Sequence, residues 1–130
     1  MYPVVATPSG RKLTQEVEVV GNTFEPGVTL LPCTYLVHHR EDIYTDAERF
    51  DPDRFQRRDY TPYEYFPFGG GTRTCIGAAM GYFEMQMALA TIFRTWQLTP
   101  AHRGAVEPTR HGTLLAPSDT MRVIARRPFA

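Results

Sequence analysis

Phe68-Gly69-Gly70-Gly71-Thr72-Arg73-Thr74-Cys75-Ile76-Gly77 is the stretch from which the rest of the chain is read. Its last residues open a helical period. Ile76, Met80, Phe83, Met87 and Ala90 recur at spacings of four and three and share one face, while Met85, Leu89, Ile92 and Trp96 form a second apolar face. The pattern predicts a helix over 77–95, about 28 Å long, and a helix apolar on two faces calls for burial on most sides. Cys75 then stands at a helix mouth, where the helix dipole and unpaired backbone N–H groups favour a thiolate. Arg73 adds a positive charge two residues earlier. The glycines let backbone amides approach a sulfur or a flat ligand. Gly77 withholds a side chain where a planar group would lie, and Phe68 is placed to pack beside it. Together these residues suit a hydrogen-bonded thiolate offered to a metal from one side.

Upstream of the loop, residues 45–67 resist a regular assignment. Asp46-Ala47-Glu48-Arg49-Phe50 suits one helical turn, and Asp51-Pro52 and Thr61-Pro62 break anything longer. Phe50, Phe55, Tyr60, Tyr63, Tyr65 and Phe66 carry too much apolar surface for a solvated linker, so ordered coil packed on other residues is expected. Earlier still, Glu16-Val17-Glu18-Val19 alternates as a half-buried strand does. Pro26-Gly27 is a turn pair, and the run from Val28 to Val37 reads as a second strand. These make an expected hairpin over 16–37 that contains Cys33 as a small core residue. Downstream, Leu114-Leu115-Ala116 and Met121 to Ala125 flank Pro117-Ser118-Asp119, predicting a terminal hairpin over 113–125. No internal repeat or low-complexity tract is present.

The composition narrows the classes. The chain has 130 residues, which suits about one small domain. Lys plus Arg and Asp plus Glu are 14 each, a formal net charge of zero with no basic block, which argues against nucleic-acid binding. Eleven prolines and ten glycines predict a loop-rich α+β chain with short elements. Two cysteines exclude a disulfide-dense scaffold and a four-cysteine zinc site. Glu84 and Arg94 interrupt 77–95, so a membrane span is not expected. Residues 1–10 lack the basic start and apolar core of a secretory signal, and a cytoplasmic location is expected.

Phe68-x-x-Gly71-x-Arg73-x-Cys75-x-Gly77 resembles the cysteine-loop signature of the cytochrome P-450 family, the haem-thiolate monooxygenases. Phe50-Asp51-Pro52-Asp53-Arg54-Phe55 resembles the family's meander, whose arginine completes a Glu–Arg–Arg triad. His39-Arg40-Glu41-Asp42 resembles the His-Arg element before it, and Met1-Tyr2-Pro3 the segment following the Glu-x-x-Arg helix. The resemblance covers essentially all of 1–130 as the C-terminal part of a single family domain. It implies a mainly α fold with small β-sheets, of which this part holds strands in 16–37, the meander 45–67, the cysteine loop 68–77, the helix 77–95 and the terminal hairpin. It implies a haem (heme) cofactor with Cys75 as the metal ligand. Phe68, Gly69, Gly71, Arg73 and Gly77 would line the cofactor, with Arg73 on a propionate and Arg11 on the other. A small organic substrate and a redox partner, a ferredoxin or a flavoprotein reductase, are implied for the parent enzyme. No catalytic residue is expected within this part. The Glu-x-x-Arg helix is expected before Met1. Glu107-Pro108-Thr109-Arg110 has that spacing by coincidence, since it holds a proline and follows the cysteine loop. The distal helix with its acid–threonine pair is absent, and Asp119-Thr120 copies the pair only in letters. The isolated chain is therefore expected to be inactive.

Plainer readings stand beside these. The chain is alternatively a truncated, non-catalytic product, or an interaction module completing another chain. A cysteine at a helix start is commonly structural, and Arg73 alone would be a solvated charge. His38 and His39, adjacent and pointing apart, suit structural hydrogen bonds better than a metal. Glu84 is expected to find a local partner. The three glycines resemble a phosphate loop, but no strand precedes them and no Gly-Lys-Ser/Thr follows.

Overall fold

Glycine and proline decide where the short strands turn. The computed structural model describes residues 2–102, 104 and 106–127, which form two units, Met1–Gly70 and Gly71–Ala130. Met1 of the Met1-Tyr2-Pro3 stretch lies outside the described residues. In the first unit, β1 (Arg11–Lys12) pairs antiparallel with β4 (Thr29–Leu30), and β2 (Val17–Val19) with β3 (Asn22–Phe24). Gly10 lies close against β4: a Cβ there would come within 2.8 Å of the Thr29 side chain.

The hairpin expected over 16–37 is corrected in three respects. It closes on Asn22–Phe24 rather than on Val28–Val37, because Val20 and Gly21 both take positive φ, 50° and 74°, and so make a two-residue turn matched to strand twist. Only Thr29–Leu30 of the later run is a strand. Pro32 follows it, and Thr34–His38 folds as helix α1. Thr34 and His38, one helical turn apart, are both buried, at 0% and 7% exposure. Packing of that face overrides the strand preference of Tyr35 and Val37. Cys33 is accordingly no strand residue but the half-buried N-cap of α1.

Residues 41–66 form turns around a single-turn helix, α2 (Arg54–Arg57). The turn expected at 46–50 is one hydrogen bond, from Arg49 N–H to the Asp46 carbonyl at 2.9 Å. Tyr44 and Ala47 are buried here. Tyr44 stacks on Tyr60 at 4.7 Å between centroids and donates its hydroxyl to the Glu64 carbonyl at 2.6 Å. Burial, reinforced by Tyr60, pushes the Tyr44 phenol up to about 12. Phe55 joins the cluster between Tyr60 and Tyr65. The aromatic coil is thus ordered by its own side chains.

Among the described residues the second unit holds a 3₁₀ turn (Gly71–Arg73), helix α3 (Ala78–Thr95) and four strands. The terminal hairpin expected over 113–125 does not form. Leu114–Pro117 (β7) returns instead onto Pro108–His111 (β6), because Gly112 at φ 63° makes the turn directly after β6. Val123–Arg126 (β8) pairs with Gln97–Pro100 (β5), which leaves α3 through Trp96. Glu107 to Arg110 therefore runs into a strand, not a helix. The apolar faces of α3 call for burial, yet none of its residues is buried: the described residues place no cover over them, as a chain with so few other elements implies. Glu84 is exposed on it and makes no ion pair among the described residues. No helix of the described residues is long and apolar enough to cross a membrane.

Candidate functional site

The loop is built in two pieces, one in each unit. In the first, the Phe66 peptide is tied on both sides. Its N–H donates to His38 Nε2 at 3.1 Å, and its carbonyl accepts from Gly69 N–H at 3.0 Å. Gly69 takes φ 75°, which a side chain would strain, and so ends a tight turn that carries half-exposed Phe68. Below this turn, the Glu64 carboxylate accepts from Thr61 N–H at 2.9 Å and pairs with Arg58. These donors, the Thr61 N–H first, hold Glu64 below the usual carboxylate range.

In the second piece, Gly71 at φ 66° opens the 3₁₀ turn. Its carbonyl accepts from both the N–H and the hydroxyl of Thr74, at 3.1 and 2.8 Å. That double tie sets the step into Cys75, whose own carbonyl accepts from Ala78 N–H at 3.1 Å. Gly77 is the N-cap of α3 and makes no side-chain cap. Cys75 is exposed and free of disulfide. A Cβ on Gly77 would meet only Cys75 Sγ, at 3.8 Å, so the face beside the sulfur is open. Ile76 next to it is fully exposed.

Of the other candidates, Arg73 ends the 3₁₀ turn, exposed, and makes no ion pair among the described residues. Arg11 lies exposed in the first unit, its guanidinium on its local carbonyls of Ser9 (2.7 Å) and Gly10 (3.2 Å). His38 and His39 do make structural hydrogen bonds; His39 Nδ1–H donates to the Tyr35 carbonyl at 2.7 Å. Among the described residues no three His, Cys, Asp or Glu side chains gather to hold a metal. A site here rests on one sulfur. That donor set suits haem iron, which takes four ligands from its own macrocycle and needs one from the protein. The open face at Gly77 and the free, exposed sulfur fit a flat group approaching from that side.

The meander arginine has a local task that sequence reading missed. Arg54 donates from Nε to the Asp51 carbonyl (3.1 Å) and from one terminal nitrogen to the carbonyls of Asp46 (3.1 Å) and Arg49 (2.9 Å). Its guanidinium lies 5.8 Å from the Tyr44 ring centroid. The only signal available was the aromatic density around it.

The chain is similar to known proteins along nearly all of its length. The family model described as Cytochrome P450 matches residues 1–125. The chain is 37% identical over 117 residues to a protein named cytochrome P450 135B1 of Mycobacterium bovis, covering 90% of this chain and 25% of that one. It is 32% identical over 109 residues to cyclooctatin synthase of Streptomyces melanosporofaciens, covering 82% and 24%. Among solved structures it superposes on retinoic acid bound cyanobacterial CYP120A1 with a TM-score of 0.86 and 27% identity, covering 96% of this chain and 30% of that one. The chain thus spans about a quarter of the length of the curated relatives it matches. The fold is that of part of these proteins.

Proposed function

The chain belongs to the cytochrome P450 family, whose members bind haem iron, and on that premise we propose that it supplies the thiolate side of a haem monooxygenase, in which Cys75 would hold the iron. The observation that carries the reading is a free, exposed Cys75 at the uncapped start of α3, beside the open face left by Gly77. When bound, haem supplies the chemistry that inserts one atom of dioxygen into a small organic substrate, with electrons from a ferredoxin or flavoprotein reductase. The chain's own residues hold and tune it. Cys75, free and exposed, would hold the metal as a thiolate. Gly69 and Gly71 would give the loop its positive-φ turns, Gly77 would leave room for the macrocycle, and Phe68 would line it. Arg73 would take a haem propionate, and Arg11, which bonds the Ser9 and Gly10 carbonyls, is the second candidate for that task.

The ferrous carbonyl spectrum of the haem-loaded complete assembly, this chain joined to the rest of a family domain, tests the ligand. Wild type and Cys33→Ala should show the red-shifted Soret band of thiolate ligation, and Cys75→His should lose it completely. A band that survives in Cys75→Ala and vanishes in Cys33→Ala would refute the assignment. For Arg73, replacement by Leu removes one partner from a propionate, at about 1–3 kcal/mol. Haem affinity measured by titration should therefore fall by about one to two orders of magnitude, and an unchanged affinity would place the propionate elsewhere.

A further inference from the structure

We propose that His38 is a positioning residue for the thiolate loop: its Nε2 holds the Phe66 N–H and so sets where the chain enters the segment carrying Phe68 and Cys75. The inference rests on Cys75 as the axial ligand. His38 ends α1 and is buried, and the bond to Phe66 spans 28 residues of sequence. The ring has little freedom to leave. Tyr65 stacks on it at 5.2 Å, while Phe66 at 5.4 Å and Tyr44 at 6.1 Å meet it edge-on. With the Phe66 carbonyl held by Gly69 N–H, the turn 66–69 is pinned through this one imidazole at its first residue.

The hold works only for the neutral ring. Nε2 must keep its lone pair to accept the N–H, and an imidazolium has none to offer. Burial is the main cause that lowers His38 to about 4, with His39 adding to it. The groups facing it give no rescue to a cation. On its own helix the neighbour is His39. From the later residues come the phenols of Tyr44 and Tyr65, and Arg49, Asp51 and Arg54 line the same cavity. Two of these are guanidiniums, and the Asp51 carboxylate is already bonded to Arg57. The sign follows. The folded chain resists the proton that the unfolded chain accepts near about 6.5, so the hold is complete above that pH. It is lost as pH falls through about 4.

Two measurements on the full chain test this, one of them without haem. His38→Gln keeps an acceptor that does not titrate, and His38→Leu removes it. In the haem-free protein at neutral pH, exchange of the Phe66 amide hydrogen should speed about 10- to 100-fold in His38→Leu and stay near wild type in His38→Gln. In the haem-loaded protein, the ferrous carbonyl Soret should show a larger non-thiolate fraction for His38→Leu at neutral pH. His38→Gln should match wild type there and resist the conversion that wild type undergoes on acid titration. Unchanged Phe66 exchange in His38→Leu, or the wild-type acid conversion retained in His38→Gln, overturns the proposal. Should His38→Leu fail to fold, the His38→Gln titration decides alone. Absence of a thiolate band from wild type, by contrast, overturns the Cys75 assignment, and the haem-free exchange still judges the hold on Phe66.

Discussion

Purified alone, the 130-residue chain should bind a hydrophobic dye strongly and show no cooperative melting of α3. The 18 residues of α3 include none that is buried, and Met80, Phe83 and Phe93 are each exposed by 60% or more. Full burial of one such side chain is worth about 1.5–3 kcal/mol. Leaving several of Met80, Phe83, Met87, Leu89 and Phe93 in water therefore forfeits an amount comparable to the ~5–15 kcal/mol that holds a typical domain folded. A single helix of this length is marginal in water without such packing. The spacing of Ile76, Met80, Phe83 and Met87 makes the bare face continuous, which is the kind of surface that binds dyes and drives association. Dye fluorescence and scanning calorimetry on the isolated chain check this. A sharp transition with little dye binding would mean that α3 finds its cover within these residues. Joining the chain to the rest of a family domain should abolish dye binding.

Local signals made α3 and the cysteine loop legible. A period of 3.6 sustained from Ile76 to Trp96 admits one element type, and three glycines followed by Arg73, Cys75 and Gly77 concentrate their meaning within ten positions. The strands were poorly legible because their pairing is not local. β6 reads Pro-Thr-Arg-His, with no alternation to mark it, and β5 and β8 find each other only across the β6–β7 hairpin. At Val20 the sequence misleads outright, since a β-branched residue at φ 50° is where Asn or Gly is expected. The same division runs through the site. Cys75 and Arg73 are named by neighbours in sequence. His38 and Arg54 act through carbonyls and amides that reach them only after folding, so their residue types showed and their tasks did not.

Replacing Arg54 by Leu should be the most damaging single change in residues 41–66. Leu keeps part of the stem's packing and removes all three bonds to the carbonyls of Asp46, Arg49 and Asp51. Hydrogen bonds to a charged donor contribute about 1.5–3 kcal/mol each. Two of these are exposed, so water replaces part of their worth, and a total loss of about 3 kcal/mol is the reasonable expectation. The Asp46 carbonyl matters beyond its own bond. Asp46 sits at φ 53°, a conformation that costs a non-glycine residue about 1–3 kcal/mol unless its surroundings impose it. Arg54 is one of the groups that impose it, beside the Arg49 N–H on the same carbonyl and the Glu41 carboxylate, which accepts from the Ala47 N–H of that peptide at 3.2 Å. Arg54→Lys should rescue little, because one ammonium cannot reproduce a planar fork that reaches three carbonyls and lies over the Tyr44 ring. Adding Asp46→Gly should recover part of the loss in Arg54→Leu, since glycine takes the positive φ without strain. Urea denaturation of the full chain, wild type beside the three variants, measures each term. A midpoint for Arg54→Leu indistinguishable from wild type would show that the turns of 41–66 are held by their aromatic side chains alone.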